Sequence, residues 1–382
     1  MQFRFRFSLA ASLPLLAVLI AVSPLEGAHK KADTPICPNA GLRKAMAGIT
    51  PNSLRSDLSF LSSDALAGRS TPSPGLEAAA EFIASRFRAD GLEAPVDGTY
   101  FQTADLTPYL KANAERRHKK LEGSVVGRNV IGILRGSDPV LRNTYLIVSA
   151  HYDHIGTLDT AKGLTREKPT ADGDRIYNGA DDDGSGTVSV IALAEAFSRL
   201  KERPRRSIVF MTFCGEELGL LGSRFYADHP VVPLRQTIAN INLEQVGRTD
   251  GDIKKGRASL TGFDYTSLGA IFKLAGEGFG LDVYKDENSG RYFSASDNYN
   301  FARYGIPDNT ICTAFEFPDY HGLKDEWPKI DYPSMATLNQ VVATVIWEVA
   351  DDTAVPRWNG KIAQTEKFRN AAMQTYGTEL AP

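Results

Sequence analysis

One stretch, residues 207–223, constrains the fold more than any other part of this 382-residue chain. It reads SIVFMTFCGEELGLLGS, and its first seven residues are rich in β-branched and aromatic side chains, which is typical of a buried strand. Glu216 and Glu217 follow that strand closely, at the position where α/β sheets place their ligands. Two acids that open a helix can also simply complement the helix dipole. The residues at the ends of the other predicted strands are therefore needed to tell whether Glu216 and Glu217 have a structural or a chemical role.

Strand-like and helical patterns alternate along the rest of the chain. Apolar runs at 128–134, 144–150, 237–243 and 309–315 predict further strands, and periodic apolar positions predict helices at 54–66, 187–200, 266–278 and 334–349. Residues 100–127 are polar and read as irregular. This alternation predicts an α/β fold with a largely parallel central sheet and helices on both faces.

The net charge and the cysteines limit which partners and which metal ligands this chain can have. The formal net charge is -3, which argues against a nucleic-acid partner because such a partner normally requires a basic face. The three cysteines, Cys37, Cys214 and Cys312, form no Cys-x-x-Cys pair, so a thiolate zinc site is excluded. We expect Cys214 and Cys312 to be buried small hydrophobic residues, and one disulfide remains open. Any metal must then be held by histidines and carboxylates.

The first 28 residues have the layout of a secretory signal peptide. Arg4 and Arg6 form a positive n-region, residues 8–22 form an apolar h-region, and small residues follow. We therefore predict an exported protein, periplasmic or extracellular, with no stable membrane span after cleavage; an uncleaved anchor is the alternative. The predicted organisation is a signal peptide at 1–28, a lead-in at 29–50, one catalytic domain at 51–352 and a C-terminal extension at 353–382.

Side chains that can bind a metal follow several predicted strands. They are His151, Asp182, the pair Glu216 and Glu217, Glu244, and His321 just past the last strand. Each residue alone is weak evidence for a metal site, because a single His after a strand is more often structural and an Asp-Asp-Asp-Gly run is usually a solvated turn. The carboxyl ends of parallel strands share one edge of the sheet, so we expect these groups to converge.

The sequence blocks around these positions resemble metallopeptidase family 28, the co-catalytic di-zinc aminopeptidases of the aminopeptidase S and aminopeptidase Y type. The resemblance covers residues from about 54 to 350, and its blocks are SAHYDHIG, NGADDDGSG, FCGEELGLLGS, NLEQVGR, SASDNYNFARYGIP and YHGLKDE. It implies a zinc-exopeptidase-like sheet, two Zn²⁺ ions per chain and peptide substrates. The oligomeric state is not determined by the sequence.

The resemblance also implies a role for each matching position. His151 and Glu244 would bind one zinc, Glu217 and His321 would bind the other, and Asp182 would bridge them. Glu216 would be the general base, and Tyr320 would lie near the tetrahedral intermediate. Asp153 would orient His151, and Asp325 would support His321.

Two positions depart from the family pattern. Glu244 stands where relatives usually have Asp, which gives one zinc a longer ligand, and Asn298 stands where relatives often have His. We predict a secreted di-zinc aminopeptidase that uses a metal-activated water with Glu216 as base. A glutaminyl-cyclase-like single-zinc aminoacyltransferase, or a carboxypeptidase or dipeptidase on the same fold, is the alternative. A serine hydrolase is disfavoured because residues 182–186 lack the first glycine of a Gly-x-Ser-x-Gly elbow.

Overall fold

Strands and helices alternate along the chain in the computed structural model, which describes residues 34–116, 123–161, 168–171, 173–249, 255–315 and 317–378. The strands are β1 (Phe101–Asp105), β2 (Val126–Leu134), β3 (Tyr145–His151), β4 (Gly156–Thr157), β5 (Ile176–Tyr177), β6 (Ser207–Phe213), β7 (Thr237–Leu243), β8 (Arg257–Leu260), β9 (Asp282–Tyr284) and β10 (Asp308–Cys312). The α-helices are α1 (Ala40–Met46), α2 (Pro51–Leu61), α3 (Pro74–Ala89), α4 (Thr107–Arg116), α5 (Gly186–Ser198), α6 (Leu221–Asp228), α7 (Leu268–Glu277), α8 (Asn298–Ala302), α9 (Tyr332–Asp351) and α10 (Glu366–Tyr376). The predicted signal peptide lies outside the described residues.

Within the described residues, eight strands form one sheet in the order β1-β2-β6-β3-β7-β10-β8-β9. Strands β6, β3, β7 and β10 are parallel to one another. The pairs β1 with β2, β2 with β6, and β10 with β8 are antiparallel. This arrangement confirms the predicted α/β fold with a largely parallel centre.

Both faces of the central sheet are covered by helices. Every residue of β3, β6 and β7 is buried, because successive side chains point to opposite faces and each face has a core of its own. Leu146 and Val148 pack into the core that α1, α2, α3, α5, α7 and α9 share. Ile147 packs on the opposite face with Tyr226 of α6 and Phe301 of α8. Strands buried on both faces explain the continuous apolar runs in the sequence.

The segment 100–127, which we expected to be irregular, contains β1 and α4. In β1 the buried positions are Gln102 and Ala104, which alternate with exposed Thr103 and Asp105. Gln102 is satisfied inside the protein: its amide nitrogen donates to the His229 carbonyl at 2.7 Å. A buried strand position with a polar side chain removes the alternating apolar signal, so the sequence pattern did not reveal this strand.

The segment after α9 packs on the body of the fold. Trp358, Phe368 and Ala372 form a small apolar cluster with Phe293 and Ala302. The Trp358 indole donates to the Gly305 carbonyl at 2.7 Å. None of the helices among the described residues is both long and apolar enough to cross a membrane.

The two-sided core predicts how single truncations change stability. Phe210 in β6 is fully buried, so Phe210→Ala should lower the free energy of unfolding by about 3–5 kcal/mol through lost burial and an unfilled cavity. Val140 is 73% exposed, so Val140→Ala should change it by less than about 0.5 kcal/mol. Urea unfolding measures both values. Equal effects of the two substitutions would contradict this packing.

Candidate metal centre

Three neighbouring parallel strands end beside one another and present the predicted metal ligands. His151 is the last residue of β3, and its register partner is Phe213, the last residue of β6. Glu216 and Glu217 follow β6 after a turn at Gly215, where φ is +66°. Glu244 follows β7 directly. The edge of the sheet thus brings together residues that are up to 93 positions apart in the chain, because parallel strands share their carboxyl ends.

Asp182 lies between two histidines that come from distant parts of the chain. Its Oδ1 atom lies 3.4 Å from His151 Nε2, and its Oδ2 atom lies 3.2 Å from His321 Nε2. Its side chain is 3% exposed. One buried carboxylate therefore faces an imidazole with each of its oxygens, which is the geometry of a group that bridges two cations.

The first potential cation position adjoins His151. One ligand atom from each of His151, Glu216 and Glu244 lies within 4.8 Å of the others. The distance between His151 Nε2 and Glu216 Oε2 is 3.9 Å. Histidine nitrogens and carboxylate oxygens of this kind match the ligands that zinc takes in proteins.

The second potential cation position lies on the other side of Asp182. Glu217 Oε2 is 3.1 Å from His321 Nε2, and Glu217 Oε1 is 2.9 Å from His154 Nδ1. His154 Nδ1 also lies 3.9 Å from Asp182 Oδ2. No role was predicted for His154 from the sequence. Its only signal was the position three residues after His151 in the block SAHYDHIG.

Unpaired buried atoms around Asp182 fit a cation better than an internal hydrogen-bond network. Among the described residues, His151 Nε2, His154 Nδ1, Asp182 Oδ2, Glu217 Oε1 and Glu244 Oε2 are buried without a hydrogen-bond partner. Buried polar groups are otherwise nearly always hydrogen-bonded. Nitrogen and oxygen atoms that converge without bonding one another are suited to bind a divalent cation, so the residues fit zinc.

The neighbouring carboxylates of this centre shift one another's pKa values. Burial raises the pKa of Glu216 well above its ordinary value, and the charges of Glu217 and Glu244 raise it further. Burial likewise raises the pKa of Glu244 to about 7. For Asp182 burial acts in the same direction, but two facing imidazoles outweigh it and lower the pKa. A divalent cation would relieve the repulsion among these acids.

Asp153 holds the backbone and the ring around the first position. Its Oδ1 atom lies 3.7 Å from His151 Nδ1 and accepts the Glu216 backbone N–H at 3.1 Å. Its Oδ2 atom accepts the Thr71 hydroxyl at 3.0 Å, and that hydroxyl oxygen accepts the Gly215 N–H at 3.0 Å. One buried carboxylate thereby links the strand end that carries His151 to the turn that carries Glu216.

Asp325 lies beside the turn that carries Asp182. Its carboxylate accepts the backbone N–H of Asp181 at 3.0 Å and the backbone N–H of Asp182 at 3.1 Å. We expected a contact with His321, but the hydrogen bonds of Asp325 run to these amides instead. The reason is local: the turn leaves its amide groups without helical partners, and a buried carboxylate is a strong acceptor for them.

Asp183 and Asp181 also bind backbone amides. Asp183 accepts the N–H of His151 at 3.2 Å through Oδ2, and the N–H groups of Gly186 and Gln245 at 3.0 and 3.2 Å through Oδ1. Asp181 accepts the Gly247 N–H at 2.7 Å. These two aspartates therefore tie the strand ends of β3 and β7 to the turn, and they leave Asp182 alone facing the centre.

Tyr320 lies at the mouth of the site. Its ring stacks on His321 with centroids 4.1 Å apart, and Tyr320 as a whole is 39% exposed. It lines a cavity of about 100 Å³ together with Glu244, Thr261, Tyr292 and residues of β10. Burial raises the pKa of the Tyr320 phenol, and the charges of Asp182 and Glu217 raise it further. The phenol is therefore a proton-bearing donor beside the metal-competent carboxylates.

Asn298, the other position that departs from the family pattern, is fully buried. Its Oδ1 atom accepts the Thr310 hydroxyl at 3.1 Å, and its Nδ2 atom donates to the Phe293 carbonyl at 2.9 Å. The Thr310 oxygen in turn accepts from Asn242 Nδ2 at 3.1 Å. Asn298 thus belongs to a buried hydrogen-bond network that connects Thr310, which lines the cavity, to Asn242 of β7, two residues before Glu244.

Curated relatives share part of their sequence with this chain. A vacuolar membrane protease of Lachancea thermotolerans is 32% identical over 222 residues, which are 57% of this chain and 19% of that protein. The chain spans about a fifth of the length of the vacuolar membrane proteases it matches. Their names contradict our prediction of a periplasmic or extracellular protein. The N-terminal apolar pattern was misleading because it describes membrane targeting in general and does not specify a destination.

Solved structures show the same fold. The LapA aminopeptidase of Legionella pneumophila superposes with a TM-score of 0.62 at 18% identity, over 86% of this chain and 79% of that chain. BSAP, a zinc aminopeptidase of Bacillus subtilis, gives 0.57 at 20% identity, over 80% and 96%. The glutaminyl cyclase of Porphyromonas gingivalis gives 0.58 at 19% identity, over 78% and 98%. The fold therefore occurs with more than one activity.

The family model for Peptidase family M28 matches residues 129–346. The match includes all the residues at the carboxyl edge of the sheet that converge around Asp182. It agrees with the resemblance of the sequence blocks and with the histidine and carboxylate side chains at this edge, which are among the ligands that zinc takes. The chain belongs to peptidase family M28.

Proposed function

We propose that this protein is a two-zinc aminopeptidase that hydrolyses the first peptide bond of its substrates. The position of Asp182 carries this proposal, because its two oxygens lie 3.4 and 3.2 Å from imidazole nitrogens on opposite sides. A single-ion site would not require a buried carboxylate with a histidine at each oxygen. Paired ions bridged by one carboxylate are the arrangement used for hydrolysis at peptide and phosphate centres.

The ligands divide into two sets that share Asp182. His151 and Glu244 belong to one ion, and Glu217 and His321 belong to the other. When bound, the two zinc ions would polarise the peptide carbonyl and lower the pKa of the attacking water toward neutrality. The longer Glu244 side chain is compatible with the first ion, because its ligand atom lies within 4.8 Å of a His151 ligand atom.

Glu216 is placed to move the proton. Its carboxylate is 11% exposed and lies 3.9 Å from His151 Nε2, beside the first ion position. Its backbone N–H is fixed by Asp153, so the side chain is presented from a rigid turn. Glu216 takes the proton of the attacking water and delivers it to the leaving amine. Tyr320 supports this step by donating from its phenol to the carbonyl oxygen of the substrate.

The surroundings favour a substrate with a free amino terminus. The largely buried acids Glu216 and Glu244 can pair with an α-ammonium group, whereas they would repel the carboxylate at the other end of a substrate. The cavity of about 100 Å³ beside Glu244 has room for one side chain. These features favour an aminopeptidase over a carboxypeptidase.

Glu216→Gln tests the role of the general base. The substitution keeps the shape and removes the proton acceptor, so kcat should fall by about 10²–10⁴-fold while the zinc content stays unchanged. Glu81→Gln, at a side chain 59% exposed on α3, is the matched control and should keep full activity. Steady-state kinetics and metal analysis provide the two readouts. Loss of one zinc from Glu216→Gln would make Glu216 a ligand and not the base.

Removal of zinc tests the two-ion site. Activity should disappear on chelation and return fully only when two equivalents of zinc are restored. Each ion should also stabilise the fold, by about 2.7 kcal/mol at a free zinc concentration about 100 times its Kd, because only the folded state assembles the ligands. Titration of the apo protein, followed by activity and thermal unfolding, measures both. Full activity with one equivalent would contradict the two-ion proposal.

Blocked substrates test which end of the chain is recognised. Acetylation of the amino terminus should slow hydrolysis at least about 10²-fold, because a site that pairs buried acids with an ammonium group rejects a substrate without it. Amidation of the carboxyl terminus should have little effect. Mass spectrometry of the products separates the alternatives: free amino-terminal residues support the aminopeptidase, whereas cyclised glutaminyl products would support a glutaminyl cyclase.

A further inference from the structure

His154 is a buried histidine at the centre that the family resemblance did not assign. Its side chain is fully buried, and neither ring nitrogen has a hydrogen-bond partner among the described residues. An unpaired buried imidazole is costly unless something occupies its nitrogen. A cation bound at Nδ1 would satisfy that nitrogen and would also separate it from the nearby carboxylate oxygen of Glu217.

The ring of His154 is held in a fixed position. Gly179 lies so close that a Cβ atom there would be 2.5 Å from His154 Cγ and 2.6 Å from Cδ2. The ring of His321 meets that of His154 edge to face, with centroids 5.5 Å apart and planes inclined by 77°. Only glycine at position 179 permits this approach. The direction of Nδ1 toward the centre is thus set by packing.

Nδ1 of His154 converges on the atoms of the second ion position. It lies 2.9 Å from Glu217 Oε1 and 3.9 Å from Asp182 Oδ2, without hydrogen-bond geometry to either. The other oxygen of Glu217 faces His321 at 3.1 Å. Ligand atoms of His154, Asp182 and Glu217 all lie within 4.8 Å of one another. His321 approaches the two carboxylates of this group, with its Nε2 atom 3.2 Å from Asp182 Oδ2 and 3.1 Å from Glu217 Oε2.

We propose that His154 Nδ1 is a fourth protein ligand of the ion held by Asp182, Glu217 and His321. This inference rests on the two-zinc function proposed above and refines it. Four protein ligands would fill the tetrahedral set that zinc prefers, so this ion would become five-coordinate when it shares the water or the carbonyl oxygen with the other ion. The ion beside His151 and Glu244 has fewer protein ligands and retains the open position for water. The two ions thereby differ in role.

Two substitutions of nearly equal size separate a ligand from a packing residue. Nδ1 is the ring nitrogen closer to Cβ, so a cysteine thiolate at position 154 reaches nearly the same point and can bind zinc, whereas a serine hydroxyl is a poor ligand. A packing role predicts the same loss for His154→Ser and His154→Cys. A ligand role predicts that His154→Ser weakens one zinc at least about tenfold and that His154→Cys largely restores it.

Chelator competition on the full-length protein measures the affinity of each zinc in the wild type and both variants. His229→Ser, at an exposed histidine at the end of α6, is the control and should leave both affinities unchanged. Cobalt(II) provides a second readout, because His154→Cys should gain a thiolate-to-cobalt charge-transfer absorption that the wild type and His154→Ser lack. Circular dichroism verifies that the apo variants are folded.

The outcomes separate this inference from the two-zinc function. Wild-type affinities in His154→Ser, equal losses in both variants, or no charge-transfer absorption in His154→Cys would each overturn the role of His154. A wild-type protein that binds a single zinc would contradict the two-zinc proposal. The comparison of serine with cysteine would still decide whether His154 holds that ion.

Discussion

The burial of several carboxylates close together is the constraint on which the rest of this structure depends. Asp182, Glu216, Glu217 and Glu244 meet at one edge of the sheet, where they are largely buried and repel one another. Histidines offset part of this repulsion, and a divalent cation would offset the rest. Such a cluster persists only if the surrounding chain holds it in place, since separation of the acids would lower its electrostatic energy.

The chain meets this requirement with a second layer of buried groups. Asp153, Asp183 and Asp325 accept backbone amides from the segments that carry the facing side chains. Arg69, itself buried, donates to the carbonyls of Tyr152 at 2.8 Å and of residues 178 and 179 at 2.7 and 2.9 Å. These contacts join the loops after β3 and before α5 to each other. The ligand positions are thus fixed by backbone hydrogen bonds rather than by the ligands alone.

The sheet determines the fold of this protein, whereas the side chains at the strand ends determine its chemistry. Aminopeptidases and a glutaminyl cyclase share the sheet at similar TM-scores, so the architecture alone does not select the reaction. The selection depends on which side chains stand at the strand ends and how many ions they hold. In the proposed two-zinc function, His154, Asp182 and His321 would enclose the second ion, and the acids and the cavity beside Glu244 would select the end of the substrate that enters.

The sequence by itself determined the central strands, because β3, β6 and β7 are buried on both faces and carry unbroken apolar runs that end at His151, Glu216 and Glu244. It did not reveal β1, whose buried Gln102 replaces the apolar signal, or the contact of Asp325, which depends on unpaired amides of a distant turn. Only the tertiary structure brought His154 to the centre. A pattern along the chain records which groups occur near a strand end, whereas their directions depend on packing between segments far apart in sequence.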